Sequence, residues 1–245
     1  MRLIVWNCNM AFRKKASLLL EYDPDIIVVP ECENPGALKF PTGTKQPDGI
    51  AWHGDNPNKG LGVFSYNGYR VKLLRVHNAD FKIILPLAVT LGEFKFTLFA
   101  VWANNPADKK NQYVGQVWQA IHHYEKLIKG SRTILAGDFN SNTIWDKPKR
   151  IGNHSDVVQV FDKKKITSVY HHHFEQKHGT EDHASFYLYR HANKPYHLDY
   201  CFASKDFIAR LKHVEMGTHK KWCDYSDHPP LIVDFEFPGV NNKST

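Results

Sequence analysis

Four places in this 245-residue chain set acids or a histidine beside apolar, strand-like runs: Pro30-Glu31, Gly137-Asp138-Phe139-Asn140, His197-Leu198-Asp199-Tyr200 and Ser226-Asp227-His228. Strand ends at one rim of a sheet are where a rigid scaffold gathers side chains from distant sequence into one cleft. Carboxylate and amide oxygens suit a hard divalent cation, Mg²⁺ or Mn²⁺, and Glu31, Asp227, Asn7 and Asn9 offer them. A phosphodiester resists hydrolysis because its negative charge repels nucleophiles, so a bound cation and neutral donors must offset that charge. In such a site Asp138 would orient an attacking water or take its proton, and Asn140 would hold that water or donate to a phosphoryl oxygen. His228 needs a carboxylate to fix its tautomer and favour its charged form, and Asp199 is the candidate.

Each signal also has a plain structural reading. Gly, Asp and Asn are ordinary turn residues, so Gly137–Asn140 alone is unremarkable. Ser226-Asp227-His228 before two prolines equally suits a loop with local side-chain-to-backbone bonds. Asp199 is harder to dismiss: it lies in an apolar strand, where a buried carboxylate without a partner is costly. The recurrence of acids at successive strand ends is the stronger sign.

The elements that would position these residues are mostly strands. Apolar runs of strand length cover 3–6, 25–29, 61–66, 69–76, 83–91, 94–102, 133–137, 184–189, 197–202 and 230–237, several rich in Val, Ile, Phe and Tyr. Helical periodicity is clearest over 111–129, where Val114, Val117, Trp118, Ile121, Tyr124 and Leu127/Ile128 recur at a spacing near 3.6 and Gly130 closes the run. Shorter helices are expected over 14–21, 156–161 and 205–211. Hairpin-like runs followed by a helix and further strands imply an α/β layered domain of two sheets with helices outside. A single domain is expected over 1–237, with 238–245 a flexible tail.

Composition narrows the field less. Hydrophobic residues make up 42% and charged residues 23%, which excludes a disordered chain. A net charge of +7 leans toward polyanionic partners. No run approaches the ~20 apolar residues of a membrane span, and the opening MRLIVWNCNM does not read as a secretory signal. A cytoplasmic protein that binds no membrane is therefore expected. Cys8, Cys32, Cys201 and Cys223 lack CxxC spacing and read as buried, reduced thiols.

The order and spacing of Val5-Trp6-Asn7-Cys8-Asn9, Ile27–Glu31, Ala136–Asn140, His197–Tyr200 and Ser226–His228 resemble the endonuclease/exonuclease/phosphatase superfamily, including its exonuclease III-like and deoxyribonuclease-like members. The resemblance runs over almost the whole chain. It implies a four-layer α/β/β/α sandwich of two packed mixed sheets with outer helices, and a site at their rim. It also implies Glu31 as main metal ligand with Asn7 beside it, Asp227 as a ligand or orienter, Asp138 and Asn140 as the water-positioning and phosphate-binding pair, and His228 with Asp199 as the phosphate-binding dyad.

Departures from the pattern bear on substrate. Glu31 follows Pro30 where the family usually has Gln, and Trp102-Ala103-Asn104-Asn105 carries an indole where the exonuclease III-like branch has Tyr. Trp102, Asn105 and Tyr196 are candidate substrate contacts, with Asn9 beside them, though plain packing suits Tyr196 equally. The His171-His172-His173 run with His178 and His183 is rich enough in imidazole for zinc. Consecutive residues on a strand point to alternate faces, however, and the spacing fits no usual zinc motif, so a solvated or phosphate-facing loop is expected. The leading function is a Mg²⁺- or Mn²⁺-dependent nuclease acting on DNA, with RNA second and no obligate protein partner. The alternatives are a phosphatase or phosphodiesterase on a small or lipid phosphoester, and a binding protein that lost catalysis. Loops 34–48 and 147–182 are where substrate choice would reside.

Overall fold

The computed structural model describes residues 1–81, 83–104 and 112–237. In chain order the regular elements are β1 (Arg2–Val5), α1 (Ala16–Leu20), β2 (Ile26–Cys32), β3 (Gly49–Asn56), β4 (Lys59–Ser65), β5 (Arg70–Leu73), β6 (Ile84–Leu91), β7 (Phe94–Trp102), α2 (Val114–His123), β8 (Thr133–Asp138), α3 (His154–Lys163), β9 (Ile166–Ser168) and α4 (Val169–Phe174). They continue with β10 (Phe186–Tyr187), β11 (Pro195–Tyr196), β12 (Asp199–Ser204), α5 (Lys205–Ile208), β13 (Leu211–Met216), α6 (His219–Trp222) and β14 (Leu231–Phe235).

Alternation along the central strands builds the layers. In β1, Leu3 and Val5 join one apolar cluster while Ile4 joins another, and in β2 Ile26 and Val28 part in the same way from Ile27 and Val29. Both faces of these strands are apolar because both are covered. One six-stranded sheet runs β13-β14-β1-β2-β4-β3 and the second runs β5-β6-β7-β8-β12-β9. Their facing sides share a core to which Leu3, Val28 and Val63 contribute from one sheet, and Leu87, Leu98, Ala136 and Cys201 from the other. The outer face of the second sheet packs on α2 and α3 through Phe99, Leu135, Val117, Ile121 and Phe161. The outer face of the first is covered by Phe12, Leu19 and Trp222. The result is the α/β/β/α sandwich of two mixed six-stranded sheets. All four cysteines are buried free thiols, and no described helix is long and apolar enough to cross a membrane.

Several local expectations need correction. The long helix is Val114–His123; beyond it Tyr124 and Ile128 stay buried against the second sheet from a turn. The 184–189 run shrinks to Phe186–Tyr187, because Tyr189 turns to a left-handed φ of 57°. The triple-histidine run lies on helix α4 and not in a solvated loop: His171 is buried, while His172 and His173 face solvent. The 147–182 stretch likewise holds α3, β9 and α4. The tail 238–245 lies outside the described residues.

Candidate active site

Strand register carries three of the candidate side chains to one level of the second sheet. β7 pairs in parallel with β8, placing Trp102 opposite Asp138, and β8 pairs antiparallel with β12, placing Asp138 opposite Asp199. Asp138 lies two residues beyond Ala136 and Asp199 two before Cys201, so alternation aims both carboxylates into the seam between the sheets. Gly137 permits the close β7–β8 approach at this level: a Cβ there would lie 1.8 Å from the Val101 carbonyl oxygen. From the first sheet, Asn7 lies two residues beyond Val5 and its Nδ2 donates across the seam to Asp138 Oδ2 at 3.0 Å.

Asp138 is fully buried and collects two further donors. The Asn140 backbone N–H reaches Oδ1 at 2.8 Å and Asn140 Nδ2 reaches Oδ2 at 3.1 Å, with Asn140 in the left-handed region at φ 47°, which asparagine tolerates. His228 Nδ1 meets Asp199 Oδ2 at 2.7 Å, both buried. Ser185 Oγ accepts the Leu198 and Asp199 backbone N–H groups at 2.8 Å each, fixing the start of β12. Ser226 Oγ donates to the Asn7 carbonyl at 2.7 Å and accepts the His228 N–H at 3.1 Å, while Trp6 Nε1 donates to the His228 carbonyl at 2.6 Å. The two sheets are thus stitched together at the site, and Phe186 lies against the His228 ring at 4.8 Å between centres.

Single ligand atoms of Asp138, Asp199 and His228 all fall within 4.8 Å of one another. Burial and then the charge of Asp199 raise Asp138 to about 7, against the pull of His228 and the donors from Asn7 and Asn140. Burial alone would lower His228, but the charge and hydrogen bond of Asp199, with Asp138 and Asp227 adding, raise it to about 10. The imidazole is therefore held as a cation between two carboxylates.

Glu31 sits on a bulge of β2, where pairing with β4 shifts between Pro30 and Cys32 and its own φ is 61°. The bulge turns its carboxylate out of the ladder, where Oε1 accepts from Asn7 Nδ2 at 3.4 Å and Oε2 meets Lys59 Nζ at 3.1 Å. Asn7 Oδ1 is taken by the Asn9 N–H at 3.1 Å, so as placed Asn7 donates to both carboxylates. Asn9 Nδ2 in turn donates to Asp227 Oδ1 at 3.1 Å. Glu31 thus stays half-open against a cationic side chain, and Asp199 Oδ1 is buried with no protein donor. This oxygen-rich donor set fits a hard divalent cation.

The structure therefore brings Asn7, Glu31, Asp138, Asn140, Asp199 and His228 together, with Asn9 and Asp227 joined to each other beside them. Trp102 is only 7% exposed and belongs to the inter-sheet core, with Lys59 Nζ 5.6 Å from the centre of its ring. That burial leaves little of the indole for a substrate. Tyr196 is half-buried and its ring lies tilted against the exposed Trp145, 5.1 Å between centres. Asn105 lies outside the described residues. Sequence reasoning missed Lys59, Ser185, Ser226 and Phe186. Only Ser226, adjacent to Asp227-His228, carried a local hint.

The profile of the Endonuclease/Exonuclease/phosphatase family matches residues 4–228. No curated relative matches. Among solved structures, the chain is similar to the AP endonuclease LMAP from Leishmania major, at TM-score 0.69 and 14% identity, covering 97% of this chain and 88% of that one. It is also similar to the 3'-5' exonuclease NExo from Neisseria meningitidis, at TM-score 0.67, 18% identity and coverage of 97% and 100%. The endonuclease domain of TRAS1, a telomere-specific non-LTR retrotransposon, aligns at TM-score 0.66, 12% identity and coverage of 97% and 99%. At such identities these likenesses establish the fold, and the profile match establishes the family. The chain belongs to the endonuclease/exonuclease/phosphatase family and is a metal-dependent hydrolase of phosphoester bonds.

Proposed function

We propose that the protein is a Mg²⁺- or Mn²⁺-dependent nuclease that hydrolyses DNA, with RNA the second polymer, by in-line attack of water on the phosphodiester. The observation that carries this reading is the row of buried groups at the end of the seam: Asp138 held by Asn7 and Asn140, beside His228 paired with Asp199. Such a set can manage a proton on one side and phosphate charge on the other. Glu31 would be the principal metal ligand, with Asp227, bonded to Asn9, a ligand or orienter beside it, and Asn7 orients Glu31 and Asp138 through its Nδ2. A cation bound there would offset the negative charge of the scissile phosphate. Asp138, raised to about 7, takes the proton of the attacking water, and Asn140 fixes the direction of that carboxylate. His228 donates from Nε2 to a phosphoryl oxygen while Asp199 anchors Nδ1. The net charge of +7, and similarity to structures described as an AP endonuclease and a 3'-5' exonuclease, support nucleic acid as the substrate.

The test is cleavage of labelled plasmid, single-stranded DNA, RNA and an abasic duplex with Mg²⁺ or Mn²⁺, alongside an EDTA control and Asp138→Asn. Metal-dependent cutting that Asp138→Asn loses supports the nuclease. Hydrolysis of small phosphoesters with no polymer cut by the wild type moves the protein to the phosphatase reading.

A further inference from the structure

A second cluster of metal-ligating side chains lies away from Asp138 and His228, on and around α4. One ligand atom each from His171, His178 and Glu181 fall within 4.8 Å of one another. We propose that His171, His178 and Glu181 form a structural zinc site that ties the 175–185 connection to α4, and so steadies the Ser185 hydroxyl beneath Asp199.

The orientation of the imidazoles supports it. His171 Nδ1 meets Ser168 Oγ at 2.7 Å, leaving Nε2 turned to Glu181 Oε1 at 3.0 Å. His178 Nδ1 meets His154 Nε2 at 3.2 Å, and His154 Nδ1 meets Ser141 Oγ at 2.8 Å. Each ligand imidazole is thus held from its Nδ1 side by a fixed polar partner, the outer support that metal-bound histidines use. The His171 and His178 rings stand 3.6 Å apart between centres. Two imidazoles this close repel when both are charged, so at least one presents a lone pair.

His197 is an independent sign of a missing ligand. Its Nδ1 faces the His183 carbonyl at 2.9 Å, and a carbonyl can only accept, so the proton resides on Nδ1. The Nε2 lone pair of this buried ring then has no protein partner. An unpaired buried acceptor is costly. Its ring centre lies 5.8 Å from that of His171, so the unpaired nitrogen belongs to a ring packed beside the cluster.

Glu181 supplies the charge. Its side chain is 5% exposed, and among the described residues its ion-pair partner is His171. It also accepts from Asn142 Nδ2 at 3.1 Å and from the Gly179 N–H at 3.0 Å. Imidazoles with one carboxylate suit zinc better than Mg²⁺ or Mn²⁺, which favour all-oxygen sites. The consequence for the fold is local: Ser185, whose hydroxyl holds Leu198 and Asp199, follows Glu181 by four residues.

The test measures zinc in protein produced with zinc and dialysed against metal-free buffer, for the wild type, Glu31→Gln/Asp138→Asn, His178→Asn and Glu181→Gln. The expected result is one zinc per chain in the first two and its loss in the last two. Wild-type melting should also rise by roughly 5–10 °C at a zinc concentration of about 100 Kd over the chelated protein. Cobalt in place of zinc should give the intense visible absorption of a tetrahedral ion, a wild-type measurement that stands even if a variant fails to fold. Three results each overturn the site: zinc-free wild type whose melting ignores zinc, zinc retained by both His178→Asn and Glu181→Gln, or zinc lost from Glu31→Gln/Asp138→Asn.

Discussion

Asp199→Asn separates charge from shape at the centre of the proposed mechanism. The wild-type His228 Nδ1–Asp199 Oδ2 contact is 2.7 Å, and the imidazole is raised from its ordinary 6.5 to about 10. That difference of about 3.5, at 1.36 kcal/mol for each pKa unit, amounts to about 5 kcal/mol favouring the cation. Asp138 and Asp227 supply part of it, but Asp199 leads the favourable causes. Without that charge burial dominates and the imidazole falls below its ordinary 6.5, so at pH 7.5 the cation is at most about a tenth of the population and kcat falls about tenfold or more. The sign in pH follows: the wild type keeps its proton up to near 10, whereas burial pulls the variant's His228 below 6.5, so residual activity should recover on acidification. The amide also sets an N–H where Asp199 Oδ1 has no protein donor, so shape is nearly conserved while electrostatics change. The assay is kcat against pH for wild type and variant, with the His228 titration followed by NMR and folding checked by melting. A variant that keeps kcat within about threefold of wild type at pH 7.5, with His228 neutral by NMR, refutes the role given to the imidazolium.

Other perturbations test the frame around the site. Glu31→Gln should move the Mg²⁺ titration to higher concentration by about tenfold or more and leave the melt nearly unchanged, because its carboxylate is only partly buried. Gly137→Ala should cost roughly 3 kcal/mol or more in denaturant unfolding, since its Cβ meets the Val101 carbonyl at 1.8 Å. Trp102→Ala should destabilise by ~3–5 kcal/mol more than it raises KM, and melting beside kinetics reads both. His154 is buried and lowered from 6.5 to about 4, chiefly by burial, so the unfolded chain takes up its proton first. The stability this contributes is present above about 6.5 and is lost toward pH 4, about 3 kcal/mol at most, read as unfolding free energy against pH in a His154→Gln comparison.

The central strands were legible because their alternation has two apolar phases, both covered: Leu3 and Val5 against Ile4 in β1, Ile134 and Ala136 against Leu135 in β8. Strands β3 and β13 were missed for the opposite reason. Each lies at the edge of its sheet and carries polar residues: His53, Asp55 and Asn56 in one, Lys212, His213 and Glu215 in the other. Helix α4 was hidden by a run of histidines that has no apolar period. Asp199 was legible since a carboxylate embedded in an apolar strand demands a partner, and Asp138 through the recurrence of acids at successive strand ends. Lys59, Ser185 and Ser226 were not, because their roles arise from contacts across folded space. Ser226 Oγ, for example, meets the Asn7 carbonyl 219 residues away.

The same alternation that builds the core also explains why a cation is needed for a phosphate to enter. Asn7, Asp138 and Asp199 occupy the inter-sheet phase of their strands one step past the apolar residues, so the seam ends in charge without a break in its geometry. Asp138, Asp199 and Glu31 gather there against the positive charges of His228 and Lys59. Three carboxylates against two cations leave the cluster anionic when all are ionised, and Asp227, joined to Asn9, adds to the imbalance. Long-range attraction from a chain of net charge +7 brings a polyanion near, but the last few ångströms repel it. A divalent cation held at Glu31, as proposed, would cancel that excess. The ordered dependence that follows is metal first and phosphate second, with substrate affinity rising as the cation site fills.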